Sequence, residues 1–292
     1  MPDQPSQFLQ IGSTRLELPA SHNLPEIMRQ HPRYDFGYWN LIREILAEND
    51  LLGAASVDIG ANIGDSIAHF RRFSQGLAWG IEPVSDYFGF LKVNTAGFDN
   101  VWLSQALVAP AALSKKVRLS SGGGTGGTSL DAGDPYEGKT ISPEEILAGL
   151  DDDFIVKSDT DGFDGQIIQG MADAMIATGK TARIVTFEGP TQAQMKSGDF
   201  ADYSRALTTL QTMGYRIQIL TNLGIPVAYV GASVAAMDWQ MRALHGSFVA
   251  GRPMCHYFDF ICVAPGLSLQ TFDFTEKTLA ALAVDQVSDP AV

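Results

Sequence analysis

Short apolar runs that stop at a glycine or an acidic residue alternate with amphipathic stretches through the middle of this chain. Ala55 to Ile59, Leu77 to Ile81, Val101 to Val108, Phe154 to Ser158, Arg183 to Glu188, Tyr215 to Leu220 and Tyr257 to Val263 read as strands. Helical spacing fills the gaps over Ile63 to Phe73, about Ser85 to Asn94, Asp164 to Ala177 and Phe200 to Met213. An earlier helix over Phe36 to Asn49 repeats Tyr38, Leu41, Ile42, Ile45 and Leu46 on one face, and Gly53 follows as a stop signal. Repeated strand–helix–strand units call for a mostly parallel sheet with helices on both faces. Such sheets bind ligands at the carboxyl ends of their strands, so functional residues are expected just after each apolar run.

Two segments interrupt the alternation. Ser120 to Leu150 contains Gly122-Gly123-Gly124-Thr125-Gly126-Gly127, a candidate lid, and closes on Ser142-Pro143-Glu144-Glu145, a capping box with proline in the first turn. Thr221 to Met254 carries a helical stretch, Ala232 to Leu244, that is a candidate cover for the substrate mouth. The first thirty residues are polar and contain proline, with one β-like patch at Leu16 to Leu18. The tail after Pro265 has the composition of a partly disordered segment. The expected organisation is an N-terminal extension with a helix over 1–50, a main domain over 51–265 with insertions at about 120–150 and 221–254, and a C-terminal tail over 266–292.

Composition narrows the functional classes. The 292 residues carry 20 Lys+Arg against 33 Asp+Glu, a formal charge of −13. That surface repels phosphate backbones, so no nucleic-acid partner is expected. Of the two cysteines, Cys255 and Cys262, both read as buried thiols, since a zinc site needs more Cys and His at ligand spacing. No signal peptide and no membrane span are expected, and the location expected is the cytoplasm. Oligomeric state is not legible.

Chemistry concentrates at two strand ends. The first is Val57-Asp58-Ile59-Gly60-Ala61-Asn62-Ile63-Gly64-Asp65, where a strand feeds a helix through a glycine turn that lets a ligand approach the backbone. Its partner is Glu82, in Ile81-Glu82-Pro83 at the end of the next strand, placed to take both ribose hydroxyls of an adenosine. A dinucleotide fingerprint has glycine where this chain has Asn62 and Asp65. Those changes are wrong for a diphosphate and harmless for S-adenosylmethionine, whose sulfonium and ammonium suit an acidic mouth. The expected cofactor site is Asp58, Gly60, Ala61, Asn62, Gly64, Asp65, Glu82 and Pro83, with Gln105 and Ala106 beside the adenine. A turn that merely packs well is the structural alternative.

The second strand end is Phe154-Ile155-Val156-Lys157-Ser158-Asp159-Thr160-Asp161-Gly162-Phe163-Asp164. Asp159 and Asp161 share a side if the chain stays extended between them. Asp164 falls in the first turn of the following helix, where a carboxylate complements the macrodipole. Lys157 orients a substrate, balances the carboxylates or is a solvated lysine at the strand edge. Glu188 closes the neighbouring strand, so Asp159, Asp161 and Glu188 are expected to converge, as a general base, as ligands for Mg²⁺ or as a water-filled acidic pocket with no metal. Candidate catalytic residues are Asp159, Asp161 and Lys157; candidate substrate contacts are Glu188 and His31, with His245 and His256 as further candidate bases. The glycine at Gly162 comes too early for an EF-hand.

Taken together, Val57-Asp58-Ile59-Gly60-Ala61-Asn62-Ile63-Gly64-Asp65, Ile81-Glu82-Pro83, Leu91, Asn94, Ile155 to Asp164, Ile168, Gly170 and Glu188 resemble the FkbM family of methyltransferases over roughly Tyr34 to Pro190. His31-Pro32-Arg33-Tyr34-Asp35 is similar to what precedes the domain in bacterial members. The family pattern K-I-D-V-E-G-A-E stands here as Lys157-Ser158-Asp159-Thr160-Asp161-Gly162-Phe163-Asp164, with shorter acids. The resemblance implies a class I methyltransferase Rossmann-like fold, with a mostly parallel seven-stranded sheet. It also implies S-adenosylmethionine as cofactor, and O-methylation of a small-molecule or glycan hydroxyl, in polysaccharide or secondary-metabolite pathways. Two other readings stand beside it: a nucleotide-sugar glycosyltransferase using Asp159 and Asp161 as a D-x-D metal motif, and a non-catalytic cofactor-binding protein.

Overall fold

The computed structural model describes residues 6–32, 34–110, 118–122, 125–129, 136–231, 234–251 and 257–269. In chain order its elements are β1 (Ser6–Ile11), β2 (Thr14–Pro19), α1 (Leu24–Gln30), α2 (Phe36–Glu48), β3 (Ala55–Ile59), α3 (Asp65–Arg71), β4 (Ala78–Ile81), α4 (Ser85–Thr95), β5 (Val101–Ser104), β6 (Leu107–Val108), β7 (Arg118–Gly122) and β8 (Thr125–Ser129). They continue with β9 (Thr140–Ile141), α5 (Pro143–Ala148), β10 (Phe154–Ser158), α6 (Asp164–Thr178), β11 (Ile184–Glu188), α7 (Gln192–Ser197), α8 (Ala201–Thr212), β12 (Arg216–Thr221), β13 (Pro226–Gly231), α9 (Val234–Val249) and β14 (Phe258–Val263).

The main sheet is eight-stranded, in the order β13-β12-β14-β11-β10-β3-β4-β5. The run from β5 to β11 is parallel throughout. β14 inserts antiparallel between β11 and β12. Winding outwards in both directions from β3, with one late antiparallel strand slipped in before the last parallel one, is the topology of the class I methyltransferase fold. The expectation of seven strands is corrected to eight: β13, inside the 221–254 insertion, pairs antiparallel with β12 and becomes the edge. The run Val101 to Val108 is also not one strand. It breaks at Gln105-Ala106, and its second half, β6, leaves the main sheet to pair with β9.

Period-two alternation assigns each strand residue to one of two cores. Val57, Ile59, Phe154, Val156, Val185, Phe187, Phe258 and Phe260 face the layer of α5, α6, α8 and α9. Ile155, Ile184, Ile261 and Val263 face the other layer, where α2 and α3 supply Trp39, Ile42, Ile45, Ile67 and Phe70. The capping box before α5 forms as the sequence predicts: Ser142 accepts from the Glu145 N–H and Glu145 returns the bond to the Ser142 N–H at 2.7 Å. α9 packs against α7 and α8.

The N-terminal extension holds more than a helix. β1 and β2 form a hairpin whose buried Ile11, Leu16 and Leu18 pack on Ala68 of α3 and on Ile63 and Phe90. Asn94 of α4 clamps it: the Glu17 N–H donates to Asn94 Oδ1 at 2.7 Å, and Asn94 Nδ2 donates to the Glu17 and Ile63 carbonyls at 2.8 Å. The start of the tail is ordered too, because Ser268 exchanges hydrogen bonds with Asn49 and Glu48 at the end of α2. Cys262 is a buried free thiol; Cys255, Arg33, His256 and the tail from residue 270 lie outside the described residues. No helix of the described residues is long and apolar enough to cross a membrane.

Candidate active site

The glycine turn after β3 is where two strand ends touch. Gly60 sits at φ +80°, and a Cβ there would stand 2.0 Å from the Asp159 carbonyl oxygen at the end of β10. No side chain can occupy that gap, so the turn and the acidic strand end form one rigid lip. Gly60→Ala is expected to lower stability by about 2–4 kcal/mol, read from a urea titration, because both the backbone angle and the contact are forbidden to alanine. Gly64, at φ +91°, caps the start of α3, and a Cβ there would meet Leu91.

Glu82 is buried at the tip of β4. Its Oε2 accepts from the Asn62 N–H at 2.9 Å and its Oε1 from the Val84 N–H at 2.8 Å. Both carboxylate oxygens are thereby fixed while each keeps a lone pair for a ligand. Burial pushes this carboxyl up to about 7, against the pull of the two N–H groups. The pocket beside it is lined by Gly60, Asn62, Glu82, Pro83, Ala106 and Asp161, together with Leu107, Val108 and, from the glycine-rich hairpin β7–β8, Leu119. Gln105 is exposed and does not line this pocket.

The same face of the sheet carries a polar row that its apolar neighbours conceal. Lys157 is in register with Asp58 on β3 and with Thr186 on β11, and Glu188 is opposite Asp259 on β14. Alternation therefore places Asp58, Lys157, Thr186, Glu188 and Asp259 together under α2. Lys157 Nζ donates to Asp58 Oδ1 and to Asp159 Oδ2, both at 3.2 Å. Burial opposes the ammonium, but Asp159, Asp58 and their neighbours outweigh it and hold Lys157 charged. Asp58 itself is buried beneath the turn and does not line the pockets; burial lifts it to about 6 against Lys157. Ala61 is likewise buried.

The acids after β10 do not share an extended side. Asp161 adopts φ +52° and Gly162 φ +117°, because Asp164 pulls the turn closed from inside. Asp164 Oδ1 accepts from Ser158 Oγ at 2.6 Å and from the Thr160 N–H at 3.1 Å. Asp164 is fully buried, so it organises the loop and is not available to a ligand. Asp159 and Glu188 meet in a hydrogen bond, as the adjacency of β10 and β11 predicts. Burial pushes Asp159 up, yet Lys157 and that bond prevail and hold it below its usual value, leaving Glu188, raised by burial and by Asp159, as the partner that carries the proton. Asp161 is pushed up by desolvation and by Asp159 and Asp164. Among the described residues no group of three or more His, Cys, Asp or Glu side chains is arranged to hold a metal ion, so the Mg²⁺ expectation for Asp159, Asp161 and Glu188 is not met.

A second cavity of about 190 Å³ opens on the other side of Asn62 and Gly60. His22, Leu24 and Ile27 of the N-terminal extension roof it, and Asp65, Lys157, Asp159, Asp161 and Glu188 form its floor. His31 ends α1, is exposed and lies outside this lining; His245 bonds the Met195 carbonyl oxygen between α7 and α9. Among the described residues, the histidine that reaches the site is His22. Its Nδ1 accepts from the Leu24 N–H, which leaves Nε2–H to donate to Asn62 Oδ1, both at 3.2 Å. Also unforeseen are Tyr34, Asp35, Tyr38, Tyr257 and Asp259, which line the adjoining recess with Asp159 and Glu188. Tyr34 and Tyr257 join through their hydroxyls at 2.7 Å, and Tyr38 reaches Thr186 Oγ1 at 2.5 Å. The one sequence signal for Asp259 is a charge inside the apolar run Phe258 to Val263.

Several of these carboxyls prefer the neutral form in the folded chain. A raised folded value means stability that is complete at low pH and is lost as pH climbs through it. Glu82 alone is expected to withdraw roughly 1 kcal/mol between pH 6.5 and 8.5. Asp35, Glu188 and Asp259 act in the same direction. His69, lowered to about 3 by burial, weakens the fold only below pH 6.5, outside that window. Thermal midpoints of the ligand-free protein should therefore fall from pH 6.5 to 8.5, and a flat or rising series would contradict the assignment.

Comparison with known proteins yields distant structural likenesses. The precorrin-6y C5,15-methyltransferase of Geobacter metallireducens is 18% identical, with 61% of this chain and 72% of that one covered and a TM-score of 0.34. A SAM-dependent methyltransferase of Agrobacterium tumefaciens is 8% identical over 90% of this chain and 71% of its own, with a TM-score of 0.43. Fibrillarin of Aeropyrum pernix, solved with S-adenosyl-L-methionine, is 10% identical over 72% and 66%, with a TM-score of 0.38. No family model matches the chain, and no curated protein matches it. The fold rests on strand order and register. The FkbM resemblance stands on the motifs alone.

Proposed function

We propose that this protein is an S-adenosylmethionine-dependent methyltransferase that methylates a hydroxyl oxygen on a small polyhydroxylated acceptor, a sugar or a secondary metabolite. The observation that carries the reading is Glu82, locked by the Asn62 and Val84 N–H groups at the mouth of the glycine turn. A carboxylate held at both oxygens suits the two hydroxyls of a ribose. Asn62 in place of a glycine and Asp65 at the head of α3 suit a cationic cofactor and not a diphosphate. Bound there, S-adenosylmethionine would supply an electrophilic methyl group on a sulfonium.

The chain's own task is then to position an oxygen and take its proton. Asp159 lies at the junction of both pockets, with its side chain 46% exposed. Lys157 keeps it ionised, and Glu188 steadies its other side. An acceptor hydroxyl seated against Asp159 would give its proton to that carboxylate while the cofactor, held at Glu82 and the glycine turn, would supply the methyl group. His22 and the α1 residues close the cavity from above and exclude water.

The glycosyltransferase reading is weaker, because Lys157 and Glu188 already engage Asp159 and the left-handed turn takes Asp161 out of a D-x-D geometry. Calorimetric titrations decide between the readings. S-adenosylmethionine and its demethylated product are expected to bind in the micromolar range, and nucleotide sugars with Mn²⁺ are not. Tight nucleotide-sugar binding would reverse the order. Cofactor binding with no turnover on any hydroxylated acceptor would favour the non-catalytic reading.

A further inference from the structure

The recess beyond Asp159 has walls that the methyl-transfer step does not use. It is continuous with the 190 Å³ cavity, sharing Tyr34, Asp35, Lys157, Asp159, Glu188 and Tyr257 with it. Tyr38, Trp39 and Asp259 complete its far end. The elements packed around it contribute Asp35 from the start of α2, Glu188 from β11, Asp259 from β14 and Asp159 from the end of β10. Among the described residues lining it, Lys157 is the lone cationic side chain, and its ammonium is already bound by Asp58 and Asp159. Asp35, Glu188 and Asp259 therefore have no cation of their own, and three tyrosine rings stand beside them.

We infer that the acceptor carries a protonated amine as well as the hydroxyl that is methylated, and that Asp35, Glu188 and Asp259 hold that ammonium within the tyrosine-lined recess. This rests on the methyltransferase reading above and names the acceptor class for the same site. Two physical arguments lead to it. An acceptor bearing phosphate, sulfate or carboxylate meets the ionised Asp159 and finds no free cation, because Lys157 is already bound, and is rejected. A neutral polyol hydrogen-bonds the three acids but leaves them in their neutral forms. An ammonium supplies both donors and charge, and the tyrosine faces add to its attraction. Burial, with the nearby carboxylates (Asp65 at Asp35, Asp159 at Glu188, Asp35 at Asp259), holds the three acids toward their neutral forms, and Lys157 does not reverse this. Entry of an ammonium reverses that preference, so its binding is accompanied by proton release.

The test uses the full chain saturated with S-adenosylhomocysteine and three sugars of nearly the same shape: the methyl glycoside of 2-amino-2-deoxyglucose, its N-acetyl derivative and methyl glucoside. The amine is expected to bind at least about ten-fold more tightly than either neutral sugar. In two buffers of different ionisation enthalpy its heat should differ by the released proton. Asp35→Asn and, separately, Asp259→Asn should reduce the preference to less than about three-fold while leaving S-adenosylhomocysteine affinity unchanged. If Asp35→Asn fails to fold, Glu188→Gln and Asp259→Asn read the same preference. Equal affinity for the three sugars, no binding by the amine, or a preference that survives the substitutions overturns the proposal. Those failures are distinct from failure of the parent reading, which is registered at the first step as absence of S-adenosylhomocysteine binding. Methylation found on nitrogen instead of oxygen would place the amine at the methyl donor and not in the recess, and also overturns the proposal.

Discussion

Glu82→Ala is expected to weaken S-adenosylmethionine binding by about 100-fold, read by calorimetry on protein whose melting curve is still cooperative. Two charge-assisted hydrogen bonds to a ribose contribute about 1.5–3 kcal/mol each, so their joint loss is at least about 3 kcal/mol. The substitution also strands two N–H groups. Asn62 N–H and Val84 N–H donate to Glu82 in the folded chain, and without it they lose partners in a largely buried turn. A fall in stability of about 1–3 kcal/mol should accompany the loss of affinity. The two effects separate with Glu82→Gln, which keeps the shape and one acceptor oxygen but brings an amide N–H₂ to face one of the donors. It should retain more stability than the alanine variant and still bind the cofactor poorly. S-adenosylhomocysteine should follow the same pattern, since the ribose is common to both. Unchanged affinity for both adenosyl ligands would remove the foundation of the proposed function.

Legibility in the sequence followed how local each feature is. Ala55–Ile59 and Phe154–Ser158 match the observed strands residue for residue. Each is a short, largely apolar run with one buried charge, Asp58 or Lys157, and is stopped by a glycine or an acid. Only part of the β1–β2 hairpin was legible: the β-like patch Leu16 to Leu18 lies in β2, but β1 was not, because Phe8 faces outward and Ile11 inward, so its apolar residues set no clear alternation. The third strand was misread for a related reason. Gln105-Ala106 does not interrupt the apolar pattern enough to announce that the chain changes sheets there. At the site, Glu82, Gly60, Asp159 and Glu188 were legible because each ends or directly follows a strand. Their partners were not. Tyr34 and Tyr257 meet across 223 residues, and Tyr38 was read as one more apolar position of α2 although its hydroxyl serves Thr186. Lys157 shows why register matters: its pairing with Asp58 follows from the parallel alignment of β3 and β10, which no spacing along the chain specifies.

Asp159→Asn should lower kcat by about 10²–10⁴-fold with any acceptor the wild type methylates, while the cofactor dissociation constant moves less than about three-fold. The amide keeps the volume and a hydrogen-bonding oxygen but cannot take a proton, so substrate still seats and the chemical step stalls. Single-turnover measurement isolates that step from product release. The neighbours supply a second, independent readout. Lys157 and Glu188 hold Asp159 below its usual value, so the wild-type rate should persist well into the acid range before the base is protonated. Lys157→Gln removes the ammonium 3.2 Å from the carboxylate, and the acid limb of kcat/KM should move toward neutral pH. A residue that only shaped the loop would slow catalysis without moving that limb. The opposite shift, or an Asp159→Asn enzyme with an intact rate, would transfer the base to Asp161, which shares both cavities with Asp159 and is pushed up by desolvation and by the charges of Asp159 and Asp164. In that case the pH profile should climb through the neutral range, because a base with a raised value gains its ionised form only as the solution becomes alkaline.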